Sequence, residues 1–537
     1  MFHRKRKAQS RLLAQFGKQK DDSFRFEWIE KYFRRKDNSQ SFQVLSDKTC
    51  NDLDFEELFM FLDRTNSSVG QQFLYNKLRI IPSNSSGLGR DEELIALFST
   101  DQQLRLQVQI ELEKLNKFQA FYISSLFQEE HIKPPKWFFM VRLLSFTSLL
   151  SIIMIFFNPQ FVLALVLVMV VNVGFHYWNK KNLYQYLGSI PQLLILNDVA
   201  RRLNSIPQLN GLNPDLSGSI KIIDKVKLRM SFFRLEAKLQ GDFEAIFWSV
   251  LEMFKTVFLL EPLLLFGVLN KLNRKRSEIG NVFSFVGYLD AMISIASLRS
   301  GLKLSCFPEI ADGSTGIKAD QIYHPFIPNC VTNNITVSDR SVLLTGSNMS
   351  GKTSFIRAVG LNVITGLTIN TCFAKTISIP RTRVFSAIRI SDDLVNNKSY
   401  YFEEVLTIKT MIDQIEGGKR SLFLLDEIFK GTNTVERISA GKAVLSALSK
   451  KPNLVFVSTH DIELADLLKE EYDLYHFSEI VNSQNVAFDY KLKNGKLKNR
   501  NAIRILEIND YPKELISEAL EITKLFDKKG EGLTNPF

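Results

Sequence analysis

A glycine-rich segment between two apolar stretches constrains the fold of this chain more than any other feature. Residues 346–353 read GSNMSGKT and fit the pattern G-x-x-x-x-G-K-[ST]. The run Ser341–Thr345 before them predicts a strand, and Ser354–Val363 after them is compatible with a helix. In such a loop the glycines let backbone N–H groups approach a phosphate, the lysine neutralises its charge, and the last hydroxyl holds Mg²⁺. The pattern also occurs by chance, so the rest of the chain has to support it.

Two carboxylates follow another apolar run, 74 residues after Lys352. The run Ser421–Leu425 predicts a buried strand, which leads into Asp426 and Glu427. In a site that hydrolyses a nucleotide, an aspartate at such a strand end orders the water shell of Mg²⁺, and the adjacent glutamate can polarise the attacking water. We therefore predict Asp426 as a metal residue and Glu427 as the catalytic base.

A third apolar run, Leu454–Thr459, ends at His460. A histidine at this position can hydrogen-bond the γ-phosphate or the attacking water, and we predict this catalytic role; a histidine that only caps the strand end is the alternative. The predicted nucleotide-binding residues of the loop are Gly346, Ser347, Asn348, Met349, Ser350, Gly351, Lys352 and Thr353. Thr353 is also the second predicted metal residue, beside Asp426.

Composition narrows the class of protein. The 537 residues leave room for roughly three or four domains. Hydrophobic residues make up 45% and charged residues 23%, which excludes a disordered chain. The net charge of +11 permits contact with nucleic acid or an anionic membrane, but seven Lys or Arg fall within residues 1–20, so this charge is weak evidence for DNA binding. The four cysteines form no C-x-x-C pair, which favours a reducing compartment over a disulfide framework or a zinc site.

A stretch of 35 residues, 143–177, contains no Asp, Glu, Lys or Arg. Asn158-Pro159-Gln160 divides it into two apolar arms, Leu143–Phe157 and Phe161–Tyr177, each close to the ~20 residues that cross a bilayer. Basic and aromatic residues flank both outer ends, as at membrane interfaces. We predict a transmembrane helical hairpin whose two ends face the cytoplasm. A buried hairpin in a soluble core is the alternative.

A further apolar segment, Ala245–Leu269, carries Glu252, Lys255 and Glu261. These charges favour a buried or amphipathic helix, and a second membrane hairpin remains the alternative. Either arrangement gives an even number of crossings. We therefore predict a protein of the inner or cytoplasmic membrane with its nucleotide site in the cytosol, and a cytoplasmic protein as the alternative.

Four segments occur in order along the C-terminal half: TGSNMSGKTS, SYYFEEV (399–405), LLDEIFKGTNT (424–434) and STHDIEL (458–464). Together they resemble the MutS family of mismatch-repair ATPases, whose motifs are TGPNMGGKST, ST-F-x-x-E, DE-[IL]-G-R-GT-[ST]-T and ATHY-x-EL. Ser399 and Glu404 stand at the matching positions of the second motif. The resemblance implies ATP and Mg²⁺ as ligands. It also implies a homodimer with composite sites, in which Ser399 reaches the nucleotide held by the partner subunit.

The resemblance extends to two helical segments. Residues 58–78 are similar to the family's core-domain run L-D-x-T-x-x-x-x-G-x-x-L-L, and residues 288–298 are similar to the helix that returns to the ATPase. YHPF (323–326) stands where the family has RHP, which implies that Phe326 or His324 packs on the adenine. The family's mismatch-reading domain would precede the core segment, where some fifty residues stand, and its DNA-encircling lever would lie where this chain carries the predicted hairpin. Mismatch recognition is therefore disfavoured, whereas ATP hydrolysis is not.

The expected fold class is an α/β P-loop NTPase domain of the MutS/ABC type at the C-terminus, preceded by an all-α core and lever region with a transmembrane hairpin. The expected domains are a basic segment at 1–45, a helical core segment at 46–135, the hairpin at 136–180, a helical lever and core return at 181–300, the ATPase domain at 301–510, and a helix and tail at 511–537.

Two classes of function follow. The first is a dimeric ATPase that switches conformation and resembles ATP-dependent, mismatched-DNA-binding repair proteins. The second is a membrane-anchored ATPase with a remodelling or signalling role and no mismatch recognition. A transporter or chromosome-structure ATPase is disfavoured because no LSGGQ-like signature occurs.

Overall fold

The computed structural model divides into two compact units. The described residues are 2–238, 245–311, 316–338, 340–347, 349–389, 400–415, 418–481, 486–497, 503, 506–507, 509 and 511–531. A helical unit comprises 1–40, 59–79 and 84–302, and an α/β unit comprises 41–58, 80–83 and 303–537. The predicted nucleotide-binding residues Asn348 and Ser399 lie outside the described residues.

Within the described part of residues 1–302, helices predominate. In chain order the helices are α1 (Phe2–Gln15), α2 (Phe26–Ile29), α3 (Lys31–Arg35), α4 (Asp47–Asp52), α5 (Phe55–Leu62), α6 (Ser68–Arg79), α7 (Leu88–Thr100), α8 (Gln102–Leu112), α9 (Ser125–Gln128), α10 (Phe138–Ile155), α11 (Phe161–Asn204), α12 (Leu216–Lys238), α13 (Ala245–Phe258), α14 (Leu260–Asn273) and α15 (Arg276–Gly301). Two short strands, β1 (Gln43–Val44) and β2 (Ile80–Ile81), pair in the α/β unit.

The two apolar arms form helices α10 and α11, joined by a turn over 158–160, as predicted. The second helix does not end with the apolar arm, because α11 continues through polar residues to Asn204 and crosses the domain boundary expected at 180. Among the described residues, three helices are long and apolar enough to span a membrane: Phe138–Ile155, Phe161–Trp178 within α11, and α15. In α15, 78% of the apolar 18-residue window is buried in protein. In the windows of α10 and α11, only 22% and 11% are buried.

Helix α15 forms the centre of the helical unit. Asp290 on α15 accepts hydrogen bonds from the backbone N–H of Asn66 at 2.8 Å and from the hydroxyl of Ser67 at 2.6 Å. Gly70 lies directly against this carboxylate, and a Cβ atom there would stand 2.1 Å from Asp290 Oδ2. The segments 58–78 and 288–298 are therefore joined by a satisfied, fully buried carboxylate.

The α/β unit is built on two sheets. Its strands are β3 (Pro308–Ile310), β4 (Ile317–Ile322), β5 (Asn333–Val337), β6 (Ser341–Thr345), β7 (Thr376–Ile379), β8 (Arg383–Ala387), β9 (Ser421–Asp426), β10 (Leu454–Thr459), β11 (Tyr472–His476), β12 (Glu479–Val481), β13 (Val486–Phe488) and β14 (Lys493–Asn494). Its helices are α16 (Lys352–Ile369), α17 (Tyr400–Asp413), α18 (Thr434–Leu448), α19 (Ile462–Leu468) and α20 (Lys513–Glu531).

The larger sheet has the strand order β14-β11-β6-β10-β9-β8, in which β11, β6, β10, β9 and β8 are parallel. The smaller sheet has the order β3-β7-β4-β5, and β12 pairs with β13. The predicted strands β6, β9 and β10 are confirmed as neighbours in the larger sheet, and their residues are buried apart from the half-buried Asp426. Because parallel strands end at one edge, the polar residues that follow them meet there.

Candidate functional site at the carboxyl edge of the large sheet

The loop between β6 and α16 requires glycine at two positions. A Cβ atom on Gly346 would lie 2.7 Å from the carbonyl oxygen of Phe477, so a larger residue would push β11 and the loop apart. Gly351 has a φ of +106°, in the left-handed region that glycine adopts without strain. Helix α16 begins at the next residue, which aims its first backbone N–H groups at the loop.

Lys352 lies inside the curve of this loop. Its ammonium donates to the carbonyl oxygens of Gly346 at 2.8 Å and Ser347 at 2.9 Å, and it lies 3.4 Å from His460 Nε2. Burial lowers the pKa of Lys352, and the nearby carboxylates of Glu427 and Asp426 act in the opposite direction. The structure therefore places a buried lysine inside the loop, at the position predicted for phosphate binding.

Thr353 and Asp426 lie in contact, with Thr353 Oγ1 donating to Asp426 Oδ2 at 2.9 Å. The second carboxylate oxygen of Asp426 accepts a hydrogen bond from the hydroxyl of Ser458, the residue of β10 that pairs with Asp426. A hydroxyl and a carboxylate that converge in this way are the oxygen ligands that Mg²⁺ prefers in phosphate sites. The donor set formed by Thr353 and Asp426 therefore fits Mg²⁺.

Glu427 follows Asp426 in a strained backbone conformation. Its φ is +50°, and its backbone N–H donates to Ser458 O at 3.0 Å. Its side chain lies 2.7 Å from His460 Nε2 and 3.0 Å from Lys430 Nζ. Burial favours the neutral acid, but the hydrogen bonds from His460 and Lys430 outweigh it and lower the pKa of Glu427 to about 2. The glutamate is thus an anion at neutral pH.

Glu404 supports the segment that follows the two carboxylates. This buried side chain accepts a hydrogen bond from the backbone N–H of Phe429, which has a φ of +60°. Burial raises the pKa of Glu404, and the hydrogen bond from Phe429 acts in the opposite direction. Glu404 therefore links α17, which follows Ser399 along the chain, to the loop that carries Lys430.

A cavity of about 630 Å³ opens beside the loop. Residues of the predicted nucleotide site line one part, including Lys352, Thr353 and Glu427. Residues of the 322–333 segment and Tyr490 line another part. His324 is among the lining residues, whereas Phe326 is not and instead contacts the edge of the His324 ring at 5.0 Å between centroids. Burial, followed by the charge of Arg357, lowers the pKa of His324 to about 4, so this ring is neutral and suited to pack on a base.

Three residues of the site escaped the sequence analysis. Tyr490 lies against Gly351, and its position is set by Asn333, which donates to Tyr490 O at 3.0 Å. Glu479 accepts a hydrogen bond from the hydroxyl of Ser347. Neither has a sequence signal, because both come from the distant β12–β13 region. Lys430 pairs with Glu427 across a turn rather than along a helix, so the helical i,i+3 rule did not mark it.

Residues 342–527 match the family model of MutS domain V. The DNA mismatch repair protein MutS of Aquifex pyrophilus is 29% identical over 277 residues, which cover 49% of this chain and 32% of that protein. The MutS protein of Petrotoga mobilis is 30% identical over 268 residues, covering 48% and 32%. The DNA mismatch repair protein MSH3 of Kluyveromyces lactis is 29% identical over 275 residues, covering 48% and 26%. The chain thus matches about a third or less of the length of these curated relatives.

The parallel sheet, the glycine loop and the polar strand ends define an α/β domain of the ATPase type. The match of residues 342–527 to domain V and the similarity of about half of the chain to MutS and MSH3 proteins relate this part of the chain to the MutS family. The resemblance seen in the sequence is confirmed at this level.

Proposed function

We propose that this chain is a dimeric, Mg²⁺-dependent ATPase that uses the 346–353 loop and switches conformation with the nucleotide. The juxtaposition at one sheet edge supports the proposal most strongly. Thr353 lies 2.9 Å from Asp426, and the neighbouring Glu427 lies 2.7 Å from His460. Thr353 and Asp426 would hold Mg²⁺, which when bound neutralises charge on the phosphates.

The protein groups then have separate tasks in hydrolysis. Lys352 exchanges its bonds to loop carbonyls for bonds to phosphate oxygens, and the backbone N–H groups at the start of α16 bind the same anion. Glu427 accepts a proton from the attacking water. The water oxygen forms a bond to the γ-phosphorus while the bond to the bridging oxygen breaks, and ADP leaves with that electron pair. His460 hydrogen-bonds Glu427 and can contact the γ-phosphate.

Dimerisation would complete the site. Ser399 precedes α17 and is the residue proposed to reach the nucleotide of the partner subunit. Mixing Lys352→Ala protein with Ser399→Ala protein tests this arrangement, because one site of each mixed dimer then carries both defects and the other carries neither. We expect the mixture to regain turnover above the sum of the two variants; no gain would contradict composite sites.

A specific observation favours membrane anchoring as the setting of this activity. The helices α10 and α11 present large apolar side chains to the outside of the helical unit. Strongly exposed ones here and in the adjoining turn include Phe139, Phe146, Phe156, Phe157, Leu163, Leu167 and Val170. A soluble protein seldom exposes so large a contiguous apolar surface, whereas a bilayer covers it at no cost. We therefore propose that α10 and the first half of α11 lie in a membrane.

The membrane anchor and the effect of DNA on the ATPase each have a direct test. Membranes of the expressing cell, washed with alkaline carbonate, should retain the full chain, and release into the supernatant would contradict the anchor.

The ATPase rate of the detergent-solubilised protein is then measured without DNA, with matched duplex and with mismatched duplex. We expect the same ATPase rate under all three conditions, consistent with a remodelling or signalling role. Stimulation by the mismatched duplex would instead support a repair function.

A further inference from the structure

A cluster of charged side chains lies inside the helical unit, apart from the nucleotide site. His176 on α11, Glu252 on α13 and Glu261 on α14 bring one potential ligand atom each to within 4.8 Å of one another. His176 is 5% exposed and Glu261 is fully buried. Three helices thus converge on one imidazole and two carboxylates, next to the apolar hairpin. Ionisable groups at the end of an apolar span usually have a function, because their burial is costly.

We propose that His176, Glu252 and Glu261 form a binding site for a divalent transition-metal ion of the Zn²⁺ or Mn²⁺ type. An imidazole with two carboxylates is a ligand set that such ions accept, and it leaves one or more positions for water. His176 Nε2 lies 3.3 Å from Glu252 Oε2, a separation that two ligands of one ion adopt. His176 Nδ1 is buried 3.9 Å from Glu261 Oε2 and makes no hydrogen bond within the described part of the chain.

Lys255 explains how the two carboxylates coexist without an ion. Its fully buried ammonium lies 3.2 Å from Glu252 Oε1 and 3.3 Å from Glu261 Oε2. The cluster therefore brings two carboxyl groups and one lysine amino group together around an imidazole. A divalent ion would neutralise both carboxylates, and Lys255 would compete with it. A metal site would show this competition between the ion and Lys255, whereas a fixed ion pair would not.

The helices around the cluster are held together independently of the charges. Asn172, one turn before His176 on α11, donates to Ser148 Oγ on α10 at 3.2 Å and to Val257 O on α13 at 2.7 Å. The ligands therefore sit on helices whose packing an amide already fixes. Substitution of one ligand should consequently leave the helical unit folded.

The test uses the full chain in detergent, stripped with a chelator and titrated with Zn²⁺ alone, with bound metal counted by elemental analysis. We expect one Zn²⁺ per chain that is lost in His176→Ala and in Glu261→Gln. His131→Ala is the matched control, because both ring nitrogens of this buried histidine already lie 2.9 Å from backbone carbonyl oxygens, those of Leu269 and Leu126. Equal Zn²⁺ content in the wild type and His176→Ala would overturn the proposal.

Lys255→Met separates the metal site from a purely structural ion pair. If the carboxylates bind a metal, removal of the competing ammonium should tighten Zn²⁺ binding at least tenfold, and Zn²⁺ should raise the melting temperature more than in the wild type. If the cluster is only an ion pair, the variant will be destabilised and Zn²⁺ will not rescue it. Co²⁺ substitution supplies a visible absorption band that should vanish in His176→Ala.

Discussion

The α/β unit and the helical unit both gather charged side chains, but they do so by different structural means. In the α/β unit, Asp426 and His460 lie at strand ends and Thr353 follows the loop after β6, and parallel strands end at one edge. In the helical unit, the cluster of His176, Glu252 and Glu261 depends on how three helices pack. The first kind of site can be found from a sequence pattern, and the second cannot.

The two units also differ in what covers their apolar residues. The strands β6, β9 and β10 are buried within their own unit. The apolar windows of α10 and α11 are only 22% and 11% buried. One set of hydrophobic residues therefore forms a core, and the other forms an outer surface that we propose contacts lipid. The predictions below test this contrast and then the details of the nucleotide site.

The largest effect is expected from charges on the outer surface of α11. Val166→Asp with Val170→Asp should release the protein from carbonate-washed membranes, because each charge at a membrane-helix centre costs about 2.5 kcal/mol or more. Val435→Asp is the matched control, since Val435 is also exposed but lies on α18 in the α/β unit. Membrane retention should be measured by blotting of both fractions. Equal retention of the double variant and the control would mean that the apolar face of α11 does not lie in lipid.

The next largest effect is expected at Lys352. Lys352→Ala removes the buried ammonium from the loop and should weaken ATP binding by about 2–3 kcal/mol, which is about 100-fold in affinity. Titration with a fluorescent ATP analogue measures this change. Lys375→Ala is the control, because this exposed lysine lies in the same unit and outside the cavity. Unchanged affinity in Lys352→Ala would remove the loop from the binding site.

A smaller effect is expected at Lys430, which helps to keep Glu427 ionised. Because the pKa of Glu427 is about 2 in the structure, turnover should have no acid limb from this group at pH 5–8. Lys430→Met removes one of the two stabilising partners and should raise the pKa of Glu427 by about one unit, still below the pH 5–8 window. A carboxyl NMR titration of Glu427 below pH 5, in the wild type and the variant, measures the shift. An unchanged pKa would mean that Lys430 does not stabilise the ionised Glu427.

The smallest effect is expected at Tyr490, beside the loop. Tyr490→Ala should raise KM for ATP about 3- to 10-fold with little change in kcat, because a lost aromatic contact costs about 0.5–1.5 kcal/mol. Tyr490→Phe should behave like the wild type. A change confined to kcat would instead give Tyr490 a role in the chemical step.

Several features of the fold and site were predictable because their causes are local. The strands and the polar groups at their ends follow from short apolar runs, and the break between α10 and α11 follows from Asn158-Pro159-Gln160. The continuation of α11 beyond the apolar arm was not expected. The composition changes from apolar to polar at 178–182, but this change alters what surrounds the helix and does not end the helical backbone. Tyr490 and the cluster at His176 depend on long-range packing, and no local pattern marks them.

The most direct test of the nucleotide site is the Glu427→Gln variant, measured for both binding and turnover. Glutamine keeps the shape of the side chain but cannot accept the proton from water. We expect ATP affinity within a few-fold of the wild type and a kcat lowered by about 10²- to 10⁴-fold. A variant that hydrolyses ATP at the wild-type rate would contradict the assignment of Glu427 as the catalytic base.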